Sequence, residues 1–425
     1  MTDSPRKASL LVIFLTVFID LLGFGIVLPL LPRVADEYLA GYSATERGMI
    51  LGGLYSSFSL MQFIFSPVWG RLSDRIGRRP ILLISLSGSV VFYGLFAIAS
   101  TFSNEQSTLA LILLFLSRIG AGIAGASVST AAAVIADCTP KETRSKSMAL
   151  IGVAFGFGFT LGPLIAYAGL ELFQGQRWGV GAVASALSFV ALAFAFVRFR
   201  ETRTGSGGET TAKELFSLSK TMEVVRSPAV GPLVLIYFLT IFSFAVFEGT
   251  ISLYTQKIFN FDDRANFLTF AYIGFVLMLA QGGVYRRLAG KIADMKLLAA
   301  GVVMLFVGLG GIGGLALAAS MMAGSDDAIA GLKPLGFLVA AVAVFGFAFV
   351  NPSISSLVSK RADPARQGEV QGVNQSFASL GRILGPFLGL FLFEQDVRRI
   401  APYALAVVTL GLVVVLLPLA SRKQD

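Results

Sequence analysis

The sequence predicts an all-α membrane protein with twelve transmembrane helices, arranged as two six-helix bundles related by a pseudo-two-fold axis along the membrane normal. Three observations predict it. The 425 residues are 55% apolar and only 14% charged, whereas soluble domains carry about a quarter charged residues. Apolar runs of about 20 residues, the length that crosses a bilayer as a helix, recur along almost the whole chain. Similar motifs stand at matching places in the two halves.

The spans follow in order, each to within a few residues. The first six cover roughly 8–32, 46–69, 80–101, 108–136, 147–170 and 179–199,. The second six cover roughly 229–256, 265–285, 296–322, 334–359, 368–393 and 401–420,. Arg6 and Lys7 precede the first run as they would in a signal peptide. That run continues to about Leu31 without a small-residue cleavage site, so it reads as a retained helix. Between the two sets lies ETRTGSGGETTAKELFSLSKTMEVVRSP, the longest polar segment. Its Gly/Ser-rich start reads as a flexible linker and its later part as a surface helix. The expected organisation is a bundle over 1–200, a cytoplasmic linker over 201–228 and a second bundle over 229–425.

Basic residues orient the chain. With both termini cytoplasmic, 24 of the 34 Lys and Arg residues fall on inner segments and 8 on outer loops, while Arg118 and Arg382 lie within spans. Cytoplasmic loops collect Lys and Arg in this way. The expected setting is therefore a cytoplasmic (inner) membrane, crossed many times. The same argument disposes of the formal charge of +9: it reads as topogenic and lipid-facing, and no nucleic-acid partner is expected.

Composition excludes several chemistries. The chain has no histidine and one cysteine, Cys138, so imidazole metal sites, His-based proton relays and internal disulfides are ruled out. No clustered carboxylate pair suggests an intramembrane enzyme, and no G-x-x-x-x-G-K-[ST] loop for ATP is present,. Neither cofactor nor metal is expected, and energy should come from an ion gradient.

The two halves echo each other. Span 5 carries GFTLGP, Gly158 to Pro163, and span 11 carries GRILGP, Gly381 to Pro386. The preceding loops read DCTPKETR and RADPARQGE; RIGRR after span 2 is matched by the weaker RLAGK after span 8. Motifs at corresponding places in two six-span halves indicate a parallel repeat, an organisation found in transporters that rock one bundle against the other.

The most charged of these motifs is GRLSDRIGRRP, which sets Arg71, Arg75, Arg78 and Arg79 around Asp74. The glycines Gly70 and Gly77 suit close backbone approach in a tight turn. The arginines suit anionic headgroups at the inner face. An acid among them weakens lipid attraction and needs another reason.

With DLLGFGIVLPLLP (Asp20 to Pro32), RIGAGIAGA (Arg118 to Ala126) and GFTLGPLIAY, this loop resembles motifs of the major facilitator superfamily. Within it the chain resembles the twelve-helix drug/proton antiporters, above all the tetracycline/proton antiporter branch. The loop matches the superfamily motif at each characteristic position. The span 5 motif departs at its end, where Ala166 and Tyr167 replace the usual Gly-Gly pair. The resemblance implies that Asp74 faces the N-terminus of span 11, where a helix dipole favours negative charge. It also implies that Arg75 meets Asp137 at the inner end of span 4. The cluster, Arg78 included, then reads as an inner latch stabilising the outward-open state.

Charges inside the bilayer are costly and normally paired or functional. Asp20 lies roughly 18 Å into span 1 and Arg118 roughly 15 Å into span 4 at 1.5 Å per residue. In a core of about 30 Å these depths nearly coincide, and the resemblance places the two spans side by side. Asp20 is the expected proton site, since solvent access and the Arg118 distance can load or release its proton. Glu248 on span 7 reads either as a second protonation site or as a counter-charge to substrate, or as a residue of the wet outer rim. Arg382 on span 11 reaches a cavity or satisfies polar groups between helices. Tyr55, Gln62, Gln281, Asn351, Gln371 and Asn374 are candidate substrate contacts, with Gln281 and Asn374 preferred. Gly158, Gly162 and Pro163 should let span 5 bend and pack against span 8.

The expected function is proton-coupled export of an amphiphilic or cationic small molecule, with protons and membrane lipids as the other partners. A facilitator or proton symporter of a nutrient or metabolite is the alternative.

Overall fold

The computed structural model describes residues 14–15, 18–19, 22–23, 25–127, 130–131, 134–135, 138, 144–202, 218–322, 325–362 and 367–421. Their principal helices are α1 (Leu31–Glu37), α2 (Ala44–Ile76), α3 (Arg78–Ala99), α4 (Ser107–Gly125), α5 (Arg144–Leu172) and α6 (Trp178–Arg198). They continue as α7 (Gly231–Phe259), α8 (Asp263–Met278), α9 (Asp294–Met321), α10 (Lys333–Arg361), α11 (Gln367–Gln395) and α12 (Ala401–Ser421). Among the described residues, ten helices are long and apolar enough to cross a membrane. A short helix, Leu218–Arg226, occupies the later part of the polar segment. It docks through buried Val224, as that part of the sequence suggested.

Local sequence sets the helix ends. Ser43 and Glu46 form a capping box at the start of α2: the Ser43 N–H donates to Glu46 Oε2 at 2.8 Å, and the Glu46 N–H to Ser43 Oγ at 3.4 Å,. Asp262 caps α8 by accepting the Ala265 N–H at 2.8 Å,. Prolines occupy the first turns of α7 and α10, where a missing N–H costs nothing. Asn260 ends α7 in the left-handed region at φ 54°,. The α8 backbone continues from Met278 as a π-helical turn over Leu279–Tyr285, a form common at functional sites.

The chain divides into two compact units. The first comprises Met1–Gly41, Ser57–Thr210 and Asp262–Gly274. Within it α3 packs on α4 and α6, and α5 on α6. Leu82, Leu86, Val134, Ala191 and Ala195 form a core there. Small hydroxyls join the helices: Ser85 Oγ donates to Ala124 O at 2.5 Å and Ser185 Oγ to Val90 O at 2.8 Å,. Gly158 and Gly162 of α5 face the first span, because a Cβ on Gly25 would lie 2.5 Å from Gly158 O, and one on Gly162 2.8 Å from the Gly25 carbonyl carbon. The expected glycine contact of span 5 with span 8 runs the other way. Gly274 of α8 admits α5, as its Cβ would lie 2.6 Å from Phe159 O. Positions 158 and 162 share one helix face, whereas 159 and 160 are turned away from it.

The second unit comprises Tyr42–Ser56, Thr211–Phe261 and Phe275–Asp425. Here α7 packs on α11 and α12, and α9 on α10 and α12. Its core includes Leu233, Val234, Leu298, Val302, Val350 and Ile354. Thus α2 and α8 each begin in one unit and end in the other.

Candidate functional site

The loop motif takes a shape its sequence hides. α2 runs to Ile76, so most of GRLSDRIGRRP is helical and Gly77 alone breaks the two helices. Its φ of +107° and ψ of 157° form a conformation kept almost wholly to glycine. Arg78 is buried and donates from Nη1 to Ser73 Oγ at 2.6 Å, while Ser73 Oγ donates to Gly70 O at 2.7 Å. The first turn of α3 is capped by an acid the sequence reading passed over. Glu201 accepts the Arg78 N–H at 3.0 Å and the Arg79 N–H at 3.1 Å, favoured by the positive end of the helix dipole. Its position just after span 6 was the available signal. Arg75 is exposed. Asp137 and the Asp74 side chain lie outside the described residues, as does Asp20.

Arg118 is buried to 1% exposure in α4. Its guanidinium carbon lies 4.6 Å from the Phe58 ring centroid, a cation–π contact strengthened by removal from water. Gln62 donates to Gly125 O at 3.0 Å, tying α2 to α4.

The second unit assembles the other polar candidates. Tyr55 OH donates to the Glu248 backbone carbonyl at 3.3 Å. Arg382 acts electrostatically on both the Glu248 carboxyl and the Tyr237 phenol. Tyr237 OH in turn donates to Asn351 Oδ1 at 2.6 Å. Glu248, Arg382 and Asn351 are all half-buried. Tyr237 was not foreseen, for nothing in an aromatic on an oily helix announces a partner on α10. Asn374 is 2% exposed, and among the described residues its Oδ1 has no hydrogen-bond partner. Gln371 donates to Ser355 O at 3.1 Å. Gln281 is exposed on the π-helical turn, and nothing described brings it to Asn374. The result is an acid, a base, a phenol and amides on α7, α10 and α11. Such a group can take up a proton and exchange internal partners for those of a bound molecule.

Further charged groups pair at helix ends and in the connecting turns. Arg33, 1% exposed, meets Asp263 at 3.2 Å, and Arg177 bridges Asp263 at 2.5 Å and Glu37 at 2.6 Å. Arg47 pairs with Glu394 at 3.0 Å and Arg264 with Glu171 at 2.6 Å.

Comparison with known proteins agrees with this architecture. The chain is 30% identical to the human major facilitator superfamily domain-containing protein 10, covering 92% of this chain and 88% of that protein. It is 29% identical to the class D tetracycline resistance protein of Salmonella ordonez, over 92% of this chain and 90% of that one. The crystal structure of the human organic anion transporter MFSD10 (TETRAN) superposes with a TM-score of 0.67 at 26% identity, covering 97% of this chain and 99% of that one. The sequence profile of the Major Facilitator Superfamily matches residues 13–386. This chain is an integral, multi-pass membrane protein and belongs to the Major Facilitator Superfamily.

Proposed function

We propose that the protein is a proton-coupled exporter of amphiphilic or cationic small molecules, working by alternating access between two six-helix bundles. Both termini face the cytoplasm and the protein resides in the cytoplasmic membrane. Asp20, Arg118 and Glu248 couple protons. Tyr55, Gln62, Gln281, Asn351, Gln371, Asn374 and Arg382 contact substrate. The GRLSDRIGRRP loop with Asp137, and Gly158, Gly162 and Pro163 of α5, gate the pathway.

One observation carries this reading: an acid, Glu248, under the influence of Arg382 within membrane-crossing helices, in the same unit as the hydrogen-bonded Tyr237–Asn351 pair. Ionisable groups at such depth mark ion and substrate pathways. The tetracycline resistance relatives support a drug-type cargo. A second reading, transport of an organic anion, draws on the two basic groups Arg118 and Arg382 and on the likeness to the human organic anion transporter MFSD10.

Inverted membrane vesicles test the proposal. An acidic interior should drive accumulation of cationic amphiphiles, and Asp20→Asn and Glu248→Gln should each abolish that drive while the protein still inserts in the membrane. Indifference of the wild-type protein to the gradient would reject proton coupling.

A further inference from the structure

Glu248 and Arg382 interact and yet do not pair. Arg382 acts electrostatically on the Glu248 carboxyl, but neither side chain forms an ion pair or hydrogen bond with the other or with any other described residue. Charge held in hydrocarbon without a partner is costly, so a molecule that satisfies both ends is favoured between them. Helix α11 brings Arg382 onto the stretch of α7 that precedes Glu248. A Cβ on Gly381 would lie 3.0 Å from Phe242 N, and one on Gly385 2.7 Å from Phe242 O.

The neighbouring groups carry the same polarity. Tyr237 donates its O–H to Asn351 Oδ1 at 2.6 Å. That bond engages the amide's acceptor and leaves Nδ2, bonded to no described residue, as a donor,. One end of the site thus offers donors, Arg382 and this amide, and the other end a carboxylate. Tyr237 and Glu248 stand 11 residues apart on α7, a rise of about 16 Å. Between their levels lie Phe244 and Phe347, half-buried and stacked with ring centroids 3.7 Å apart. Phe244 precedes Glu248 by four residues and Phe347 precedes Asn351 by four, so each ring shares a helix face with its polar neighbour. The order along the site is donors, ring pair, acid.

We infer that this face of α7, α10 and α11 takes amphiphilic zwitterions: Glu248 holds the cationic end, Arg382 and the Asn351 amide hold a carboxylate, and Phe244 and Phe347 lie against the apolar body between them. The inference rests on the export reading above and names its substrate class. Tyr237 is then a positioning residue, which acts by fixing the Asn351 amide with its donor free.

The test measures, by fluorescence anisotropy at neutral pH, how the detergent-purified full-length protein binds three dyes of one xanthene–benzoate skeleton. Rhodamine B is a zwitterion, its ethyl ester is a cation and fluorescein is an anion. Rhodamine B should bind about tenfold tighter than either of the others, as a hydrogen bond to a charged group allows. Arg382→Gln should erase the preference over the ester alone, and Arg382→Lys should keep most of it. Glu248→Gln should erase the preference over fluorescein alone. Tyr237→Phe should weaken only the preference over the ester, about threefold, whereas a loss of fold would weaken all three dyes together. Equal affinities for the three dyes, no binding of any of them by the wild-type protein, or preferences that the variants leave unmoved would overturn the site. The wild-type comparison decides even where a variant fails to fold. Movement of the ester in inverted vesicles that ignores the proton gradient, with the dye preferences intact, would instead count against the export reading alone.

Discussion

Gly77 and Glu201 should be energetically coupled, although 124 positions separate them in sequence. A Cβ on Gly77 would lie 2.5 Å from Glu201 Oε2, well inside van der Waals contact. Gly77→Ala therefore does two things. It forces a side chain into a backbone region that costs about 1–3 kcal/mol, and it displaces the carboxylate that caps α3. Losing such a cap costs about 1 kcal/mol, the low figure being apt because Glu201 is exposed. Glu201→Ala alone should thus cost about 1 kcal/mol and Gly77→Ala about 2–4 kcal/mol. The double variant should cost about 1 kcal/mol less than their sum, since the cap can be lost only once. Thermal unfolding of the detergent-purified protein, followed by tryptophan fluorescence, measures these differences as shifts of about 1 °C per kcal/mol for a chain of this length. Strict additivity, or a Glu201→Ala protein as stable as the parent, would refute the capping role. In that case the oxygen positions around Gly77 would have no energetic consequence.

Tyr237→Phe should destabilise the second unit by about 1–3 kcal/mol by removing the 2.6 Å hydrogen bond to Asn351. The same unfolding assay checks it, and an unshifted transition would show that Asn351 is satisfied elsewhere. Asp396 supports the start of α12: partial burial works to raise its pKa, but the N–H groups of Ala401, Arg398 and Ile400, with Arg399, outweigh it and hold the carboxyl below its usual 3.8. A depressed folded-state pKa gives stability that is present above the unfolded value and is lost as pH falls through the folded one. Asp396→Asn should therefore lower the melting temperature at pH 7 and flatten its decline below about pH 4. Parallel pH profiles for the two proteins would contradict this.

Much of the fold was legible in the chain because a bilayer imposes one dominant rule. Backbone groups in hydrocarbon must be satisfied within the segment, so an apolar run of sufficient length becomes a helix whatever surrounds it. The helices from α2 to α12 start close to the positions read from hydropathy, and the surface helix before α7 lies where polar sequence resumed its helical pattern. The extension of α2 through the charged loop to Ile76 was not visible, because arginines and glycines read as loop when a capping acid from elsewhere is unknown. The π-helical turn at Leu279–Tyr285 was equally silent, since it changes hydrogen-bond register without changing composition.

The candidate site divides along the same line. That Arg118, Glu248 and Arg382 are candidates follows from the cost of charge in hydrocarbon, and sequence alone supplies it. Which groups meet does not follow, because partners such as Tyr237 and Asn351 lie 114 positions apart and are brought together only by the rotation of two helices about their axes. Arg47 with Glu394, and Arg264 with Glu171, carry the same lesson. The sequence by itself determined the helices, their apolar lengths, the repeat and the inventory of charges. The tertiary structure decided the pairing, since contact depends on helix rotation, tilt and register, and hydropathy leaves all three open.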